Sequence, residues 1–182
     1  ATAPPPGDTI YNINRLAVIS TLNAGGDVTI TTVQPGSTMA GDITVTGPIA
    51  WTGDGALRLE AERDININAG VTLGDGDFTA VAARDIRNSG AVTAPGAGGV
   101  TFDAGGSVVV NQNIRATGSG AISLNARAGS VLLTELRAGN LVVSTDTGAL
   151  GLHARDGAVE LRRIDPTTGG NIQVFSNSGD VD

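Results

Sequence analysis

Apolar and polar residues alternate along this chain in short bursts, separated by turns rich in Gly and Asp. Six five-residue segments share one frame: 57–61 (LRLEA), 78–82 (FTAVA), 100–104 (VTFDA), 122–126 (ISLNA), 150–154 (LGLHA) and 172–176 (IQVFS). Their first positions read Leu, Phe, Val, Ile, Leu and Ile, and their third Leu, Ala, Phe, Leu, Leu and Val. The fifth is Ala in five copies and Ser in the last, while the second is mostly Arg, Thr, Ser or Gln. Strict alternation over five residues predicts a strand with one buried face.

A second short strand is predicted after each turn, at 65–67, 86–88, 108–110, 131–133 and 159–161, with Val181 opening another. Weaker third segments follow at 71–73, 91–93, 114–116 and 141–143. First-strand starts lie 21, 22, 22, 28 and 22 residues apart. The period is therefore about 22, with one longer coil near residues 135–140. Upstream, 28–30 and 43–45 read as further strands of less certain register, because 28 to 57 is 29 residues. A paired-helix repeat would need long Gly-free stretches, and Gly recurs here at nearly every turn. Three short strands per coil, stacked in register, describe an all-β parallel β-helix spanning residues 25–182. Each inward column becomes a ladder of aliphatic side chains, and the Ala column marks a narrowing of the cross-section. Gly and Asp at the turns are expected to supply positive φ and side-chain-to-backbone hydrogen bonds. Residues 1–24 form a Pro-rich lead-in followed by a Gly-free stretch, 8–24, that fits either a first strand or a short end-capping helix.

Composition narrows the function classes. The 182 residues carry 18 Asp and Glu against 11 basic residues, a net charge of −7. All the basic residues are Arg, and they are scattered, which opposes binding to a nucleic-acid backbone. No apolar run reaches the ~18–20 residues of a membrane span. The chain has no Cys, which excludes disulfides and thiolate metal sites and suits export in an unfolded state.

The runs Gly25-Gly26-Asp27-Val28-Thr29-Ile30, Arg63-Asp64-Ile65-Asn66-Ile67-Asn68-Ala69-Gly70 and Gly169-Gly170-Asn171-Ile172-Gln173-Val174 resemble the coils of two-partner-secretion exoproteins. That family includes filamentous haemagglutinin and the high-molecular-weight adhesins. The resemblance implies a right-handed β-helical shaft, secreted to or held at the surface of a Gram-negative bacterium. It also implies an outer-membrane two-partner-secretion transporter as the parent protein's export partner. The Asn-Pro-Asn motifs of that family's secretion domain are missing, which points to an internal piece of the shaft.

A pectate-lyase-like enzyme needs carboxylates and basic residues stacked on one outward face. The nearest pattern is the turn column Arg63-Asp64 and Arg84-Asp85, with Arg155-Asp156 in a shifted register; turn aspartates bonding to backbone beside solvated arginines account for it equally well. His153, the sole histidine, falls at an outward position with no carboxylate spaced to orient it. The segment Gly74-Asp75-Gly76-Asp77-Phe78 resembles a Ca²⁺-binding nonapeptide, but a single copy reads as an Asp-Gly turn. Outward Thr29, Thr31, Thr44, Thr46, Thr79 and Thr101 suggest an ice-binding array, which the column Arg58, Thr79, Thr101, Ser123, Gly151, Gln173 interrupts. Trp51 falls outside the aligned columns, either as a sugar-stacking aromatic or as cover for an apolar patch.

The sequence thus predicts a non-enzymatic adhesin segment with no catalytic, cofactor or metal residues and no cofactor. Its expected ligand is a polysaccharide or host-cell glycan. The alternatives are the stalk of a contact-dependent toxin-delivery exoprotein and a polysaccharide-degrading β-helix enzyme. An open coil end, being an unpaired sheet edge, also predicts end-to-end self-association.

Overall fold

The computed structural model describes residues 11–32 and 41–133 and, beyond them, the backbone of four further strands. Within these, one helix, α1 (Arg15–Asn23), precedes a parallel β-solenoid whose strands fall into three sheets. The first sheet stacks β1 (Val28–Thr31), β4 (Leu57–Ala61), β7 (Phe78–Ala82), β10 (Val100–Ala104), β13 (Ile122–Ala126), β16 (Leu150–Ala154) and β18 (Ile172–Ser176). The second stacks β2 (Ile43–Val45), β5 (Ile65–Ile67), β8 (Ile86–Asn88), β11 (Val108–Val110), β14 (Val131–Leu133) and β17 (Val159–Glu160). The third stacks β3 (Ile49–Ala50), β6 (Val71–Thr72), β9 (Val92–Ala94), β12 (Ile114–Ala116) and β15 (Val143–Thr145). From β1 to β15 each coil contributes one strand to each sheet, and each coil pairs with the next in parallel, about 4.8 Å further along the axis.

The six aligned segments pair in the register read from the sequence: Leu57 opposes Phe78, Phe78 opposes Val100, and Val100 opposes Ile122. Burial follows the alternation, with the odd positions of β4, β7, β10 and β13 at most 3% exposed. Each such aliphatic side chain contributes about 1.5–3 kcal/mol. Bulk is balanced within strands. Phe78 shares β7 with Ala80, whereas Val100 shares β10 with Phe102, so the two rings meet edge to face at 5.9 Å and 87°. The buried column Ala61, Ala82, Ala104 and Ala126 lines the corner where the first sheet turns into the second.

The uncertain early register resolves to Val28 opposite Leu57. The first coil is longer by the residues between Thr32 and Gly41. The Thr32 hydroxyl donates to the Gly41 carbonyl at 3.1 Å and accepts from the Glu62 N–H at 3.0 Å, which ties the coil back into register. Residues 15–23, within the stretch left open between strand and helix, form α1. Asn14 caps it by accepting from the N–H groups of Leu16 and Ala17. Val18 and Leu22, one turn apart, bury against the first coil. The helix ends at Ala24, where Gly25 turns the chain with φ +78°.

Gly25 is the sole positive-φ residue among the described ones, which corrects the expected reason for the turn glycines. At the corner between the third and first sheets, two glycine columns stack: Gly53, Gly74, Gly96, Gly118 and, two residues on, Gly55, Gly76, Gly98, Gly120. A Cβ on Gly74, Gly76, Gly98, Gly118 or Gly120 would collide with a carbonyl oxygen of the preceding coil. Close backbone approach, not left-handed geometry, therefore demands glycine here.

Arg137, Arg155-Asp156, Arg162-Arg163, Val181 and the extension at residues 135–140 lie outside the described residues. So does the side chain of His153, whose backbone position opposes Asn125 on one side and Phe175 on the other.

Candidate functional site: the polar corners and the outer faces

The corner between the first and second sheets carries a ladder of polar and charged side chains. Asp42, Asp64, Asp85, Ser107 and Ser130 stack there, one per coil. Asp42 Oδ1 accepts the Asp64 N–H at 3.0 Å, Asp64 Oδ1 the Asp85 N–H at 3.1 Å, and Asp85 Oδ1 the Ser107 N–H at 2.9 Å. Ser107 Oγ continues the chain to the Ser130 N–H at 3.1 Å. The turn aspartates therefore bond to backbone, as the sequence allowed, but to the backbone of the next coil.

The arginines depart from expectation. They are paired as well as solvated, and their partners lie one coil back. Arg63 grips Asp42 with Nε at 2.7 Å and Nη2 at 2.5 Å. Arg84 grips Asp64 in the same two-pronged way, with Nε–Oδ1 at 2.7 Å. Asp85 pairs with Arg87 at 2.8 Å, and Arg87 also approaches Asp64 at 3.5 Å. Hydrogen bonds from these guanidiniums hold the carboxyls of Asp42 and Asp64 below the ordinary carboxylate range; partial burial opposes the shift, and the next coil's N–H reinforces it. The Arg84 guanidinium, bonded to Asp64, is shifted upward in return. In the next coils Gly106 and Gly129 stand where Arg63 and Arg84 stood, and Arg127, two residues before Gly129, pairs instead with Asp103 of the preceding coil.

The opposite corner uses aspartate similarly. Asp27, Asp75 and Asp77 accept the N–H groups of Ala56, Ala97 and Gly99 at 2.9, 3.0 and 2.7 Å. Gly74-Asp75-Gly76 is one rung of the stacked glycine columns, with Gly53-Asp54-Gly55 directly before it, so the Gly-Asp-Gly part of the segment that suggested Ca²⁺ recurs and its glycines have a packing role. No group of three His, Cys, Asp or Glu side chains that could hold a metal ion occurs among the described residues.

Trp51 takes the structural alternative, but inside the stacked columns rather than outside them. It stands in register with Leu73, in the column continued by Ala94 and Ala116, and is 2% exposed beneath the helical cap. Its ring is closed to a sugar. Asn88 was overlooked, although alternation pointed it inward. It is fully buried in the column Val45, Ile67, Asn88, Val110, Leu133, with a long 3.4 Å bond from Nδ2 to the Gln112 carbonyl and no partner for Oδ1.

On the outer face of the first sheet, register aligns Thr29, Arg58, Thr79, Thr101 and Ser123. Arg58 breaks the regular threonine array that ice would require. Alongside run Thr31, Glu60, Val81, Asp103 and Asn125. Here Arg58 pairs with Glu60 at 3.5 Å, while Asp103 accepts Asn125 Nδ2 at 2.9 Å and Arg127 Nε at 3.1 Å. No helix among the described residues is long and apolar enough to cross a membrane. No protein-family model, curated protein or solved structure matches the chain.

Proposed function

We propose that this β-solenoid is a non-enzymatic segment of a bacterial surface adhesin, a stiff shaft that attaches cells to glycans or biofilm matrix. The observation that carries the reading is where the ionic chemistry goes. At the corners, Asp42, Asp64, Asp85, Asp27, Asp75 and Asp77 each accept a backbone N–H of the following coil. Arg63 and Arg84 lock the first two of these carboxylates. Groups spent on coil-to-coil bonds stiffen a rod. The resemblance of the coil sequences to two-partner-secretion exoproteins supports placement outside a Gram-negative cell after passage through an outer-membrane partner, and the lack of Cys agrees with export unfolded.

The test is adhesion under flow. Beads coated with the purified chain are passed over epithelial cells and over films of acidic and neutral polysaccharide. Retention above beads carrying an unrelated acidic protein is expected on at least one surface. Equal detachment of both bead types from every surface contradicts the reading.

A further inference from the structure

We propose that the outer face of the first sheet, over Thr79, Thr101 and Ser123, binds an uncharged, extended, linear polysaccharide laid parallel to the solenoid axis. This rests on the adhesive reading above and adds to it a surface and a ligand class.

Three observations carry it. First, this sheet is the widest: β4, β7, β10 and β13 have five residues each and present two outward columns, whereas the strands of the other sheets have two or three residues. Second, the polar groups here divide into two kinds. The charges are paired within the protein, Arg58 with Glu60 and Arg127 with Asp103, so the face is neutral on a molecule of net charge −7. A polyanion gains nothing there, and the carboxylates are already occupied against a polycation. Third, the hydroxyls of Thr79, Thr101 and Ser123 lie in register on adjacent coils and make no hydrogen bond to any described residue. They differ in this from Thr32, Ser107 and the corner aspartates, all of which serve a neighbouring coil.

A hydroxyl both donates and accepts, which matches sugar hydroxyls that do the same. Their repeat of about 4.8 Å is close to one sugar residue of an extended chain, so successive hydroxyls meet successive sugars. Each contact is weak, and several along one chain add through multivalency. No aromatic ring lies among the outward residues of β4, β7, β10 and β13, so recognition is by hydrogen bonding rather than by stacking.

Native affinity electrophoresis of the full chain tests this, in gels containing a soluble β-glucan, a soluble mannan or polygalacturonate. The expected result is retardation by a neutral polymer and none by polygalacturonate. The variant Thr79→Val/Thr101→Val/Ser123→Ala should bind about tenfold or more weakly, the loss for three neutral hydrogen bonds. Thr72→Val/Thr93→Val, on the third sheet, should bind as the parent does. If the triple variant melts early by circular dichroism, Thr101→Arg replaces it. Retardation by polygalacturonate alone overturns the ligand class. Undiminished retardation of the triple variant, or loss in the third-sheet control, overturns the face. Absence of retardation in both neutral gels overturns the inference, while bead retention on cells or acidic films would leave the adhesive reading standing.

Discussion

Asp64 and Arg84 sit in the turns of successive coils and close a two-pronged ion pair across the coil boundary, with the Asp64 side chain 8% exposed and that of Arg84 57% exposed. Asp64 also accepts the Asp85 N–H, so the two partners are not equivalent. Asp64→Ala strands that N–H and should destabilise by about 1–3 kcal/mol. Asp64→Asn keeps the acceptor and should cost less. Arg84→Met, which removes a largely exposed partner, should cost least. Urea unfolding of the three variants checks the order, and an Arg84→Met variant as unstable as Asp64→Ala would contradict it.

The same pairs set the acid limb of stability. Asp42 and Asp64 titrate in the folded chain below the ordinary 3.8. A depressed folded pKa gives stability that is complete above the unfolded value and lost as pH falls through the folded one. Melting temperature should therefore hold from neutrality to about pH 5 and drop below about pH 4. Asp42→Asn/Asp64→Asn should melt lower at neutral pH and lose less on acidification. A parallel loss in both proteins would assign the acid limb to other groups.

Phe78 and Phe102 fit together because Ala80 opposes Phe102 across the β7–β10 pairing. Ala80→Leu should overpack this layer and cost about 1–3 kcal/mol. Phe102→Ala should open a cavity and cost about 3–5 kcal/mol. A chemical-denaturation series measures both, and a stabilising Ala80→Leu would show that the layer holds a void.

The glycine columns make a sharper claim. Gly76→Ala and Gly98→Ala place a Cβ against the carbonyl of the preceding coil and should destabilise strongly. At Gly70 the nearest atom to an added Cβ, the Ala91 carbonyl oxygen, is 3.6 Å away. Gly70→Ala should therefore be neutral or stabilising by up to about 1 kcal/mol. Comparing melting temperatures of the three separates close approach from mere turn preference.

The core strands were legible because one face of each is buried and five residues suffice to show alternation. The third-sheet strands were less so. Residues 91–93 and 141–143 were read where Val92–Ala94 and Val143–Thr145 form, since two or three residues carry little periodicity. Trp51 was misplaced because the long first coil hides its alignment with Leu73, which appears only when the register is run backward from Val71. Arg63 and Arg84 were read against their sequence neighbours, although a solenoid places next to each residue the one about a coil away; counting back from each Arg finds Asp42 and Asp64. The buried Asn88 was written in the strand pattern, but its position among Val45, Ile67 and Val110 emerges only from the second sheet's register.

Asn88 leads to a further expectation. Asn88→Val removes a buried carbonyl oxygen without a partner at the expense of one 3.4 Å bond, and should stabilise by about 1 kcal/mol. Destabilisation in thermal melts would show that the amide holds the turn to Gln112.

The proposed shaft attaches to a glycan without turning it over. The direct measurement is binding of the chain to a panel of bacterial exopolysaccharides and host glycans, with newly released reducing ends assayed in the same wells. Saturable binding with no rise in reducing ends over buffer is the expected result. Release of reducing ends that grows with time and protein concentration would contradict it and make this solenoid an enzyme.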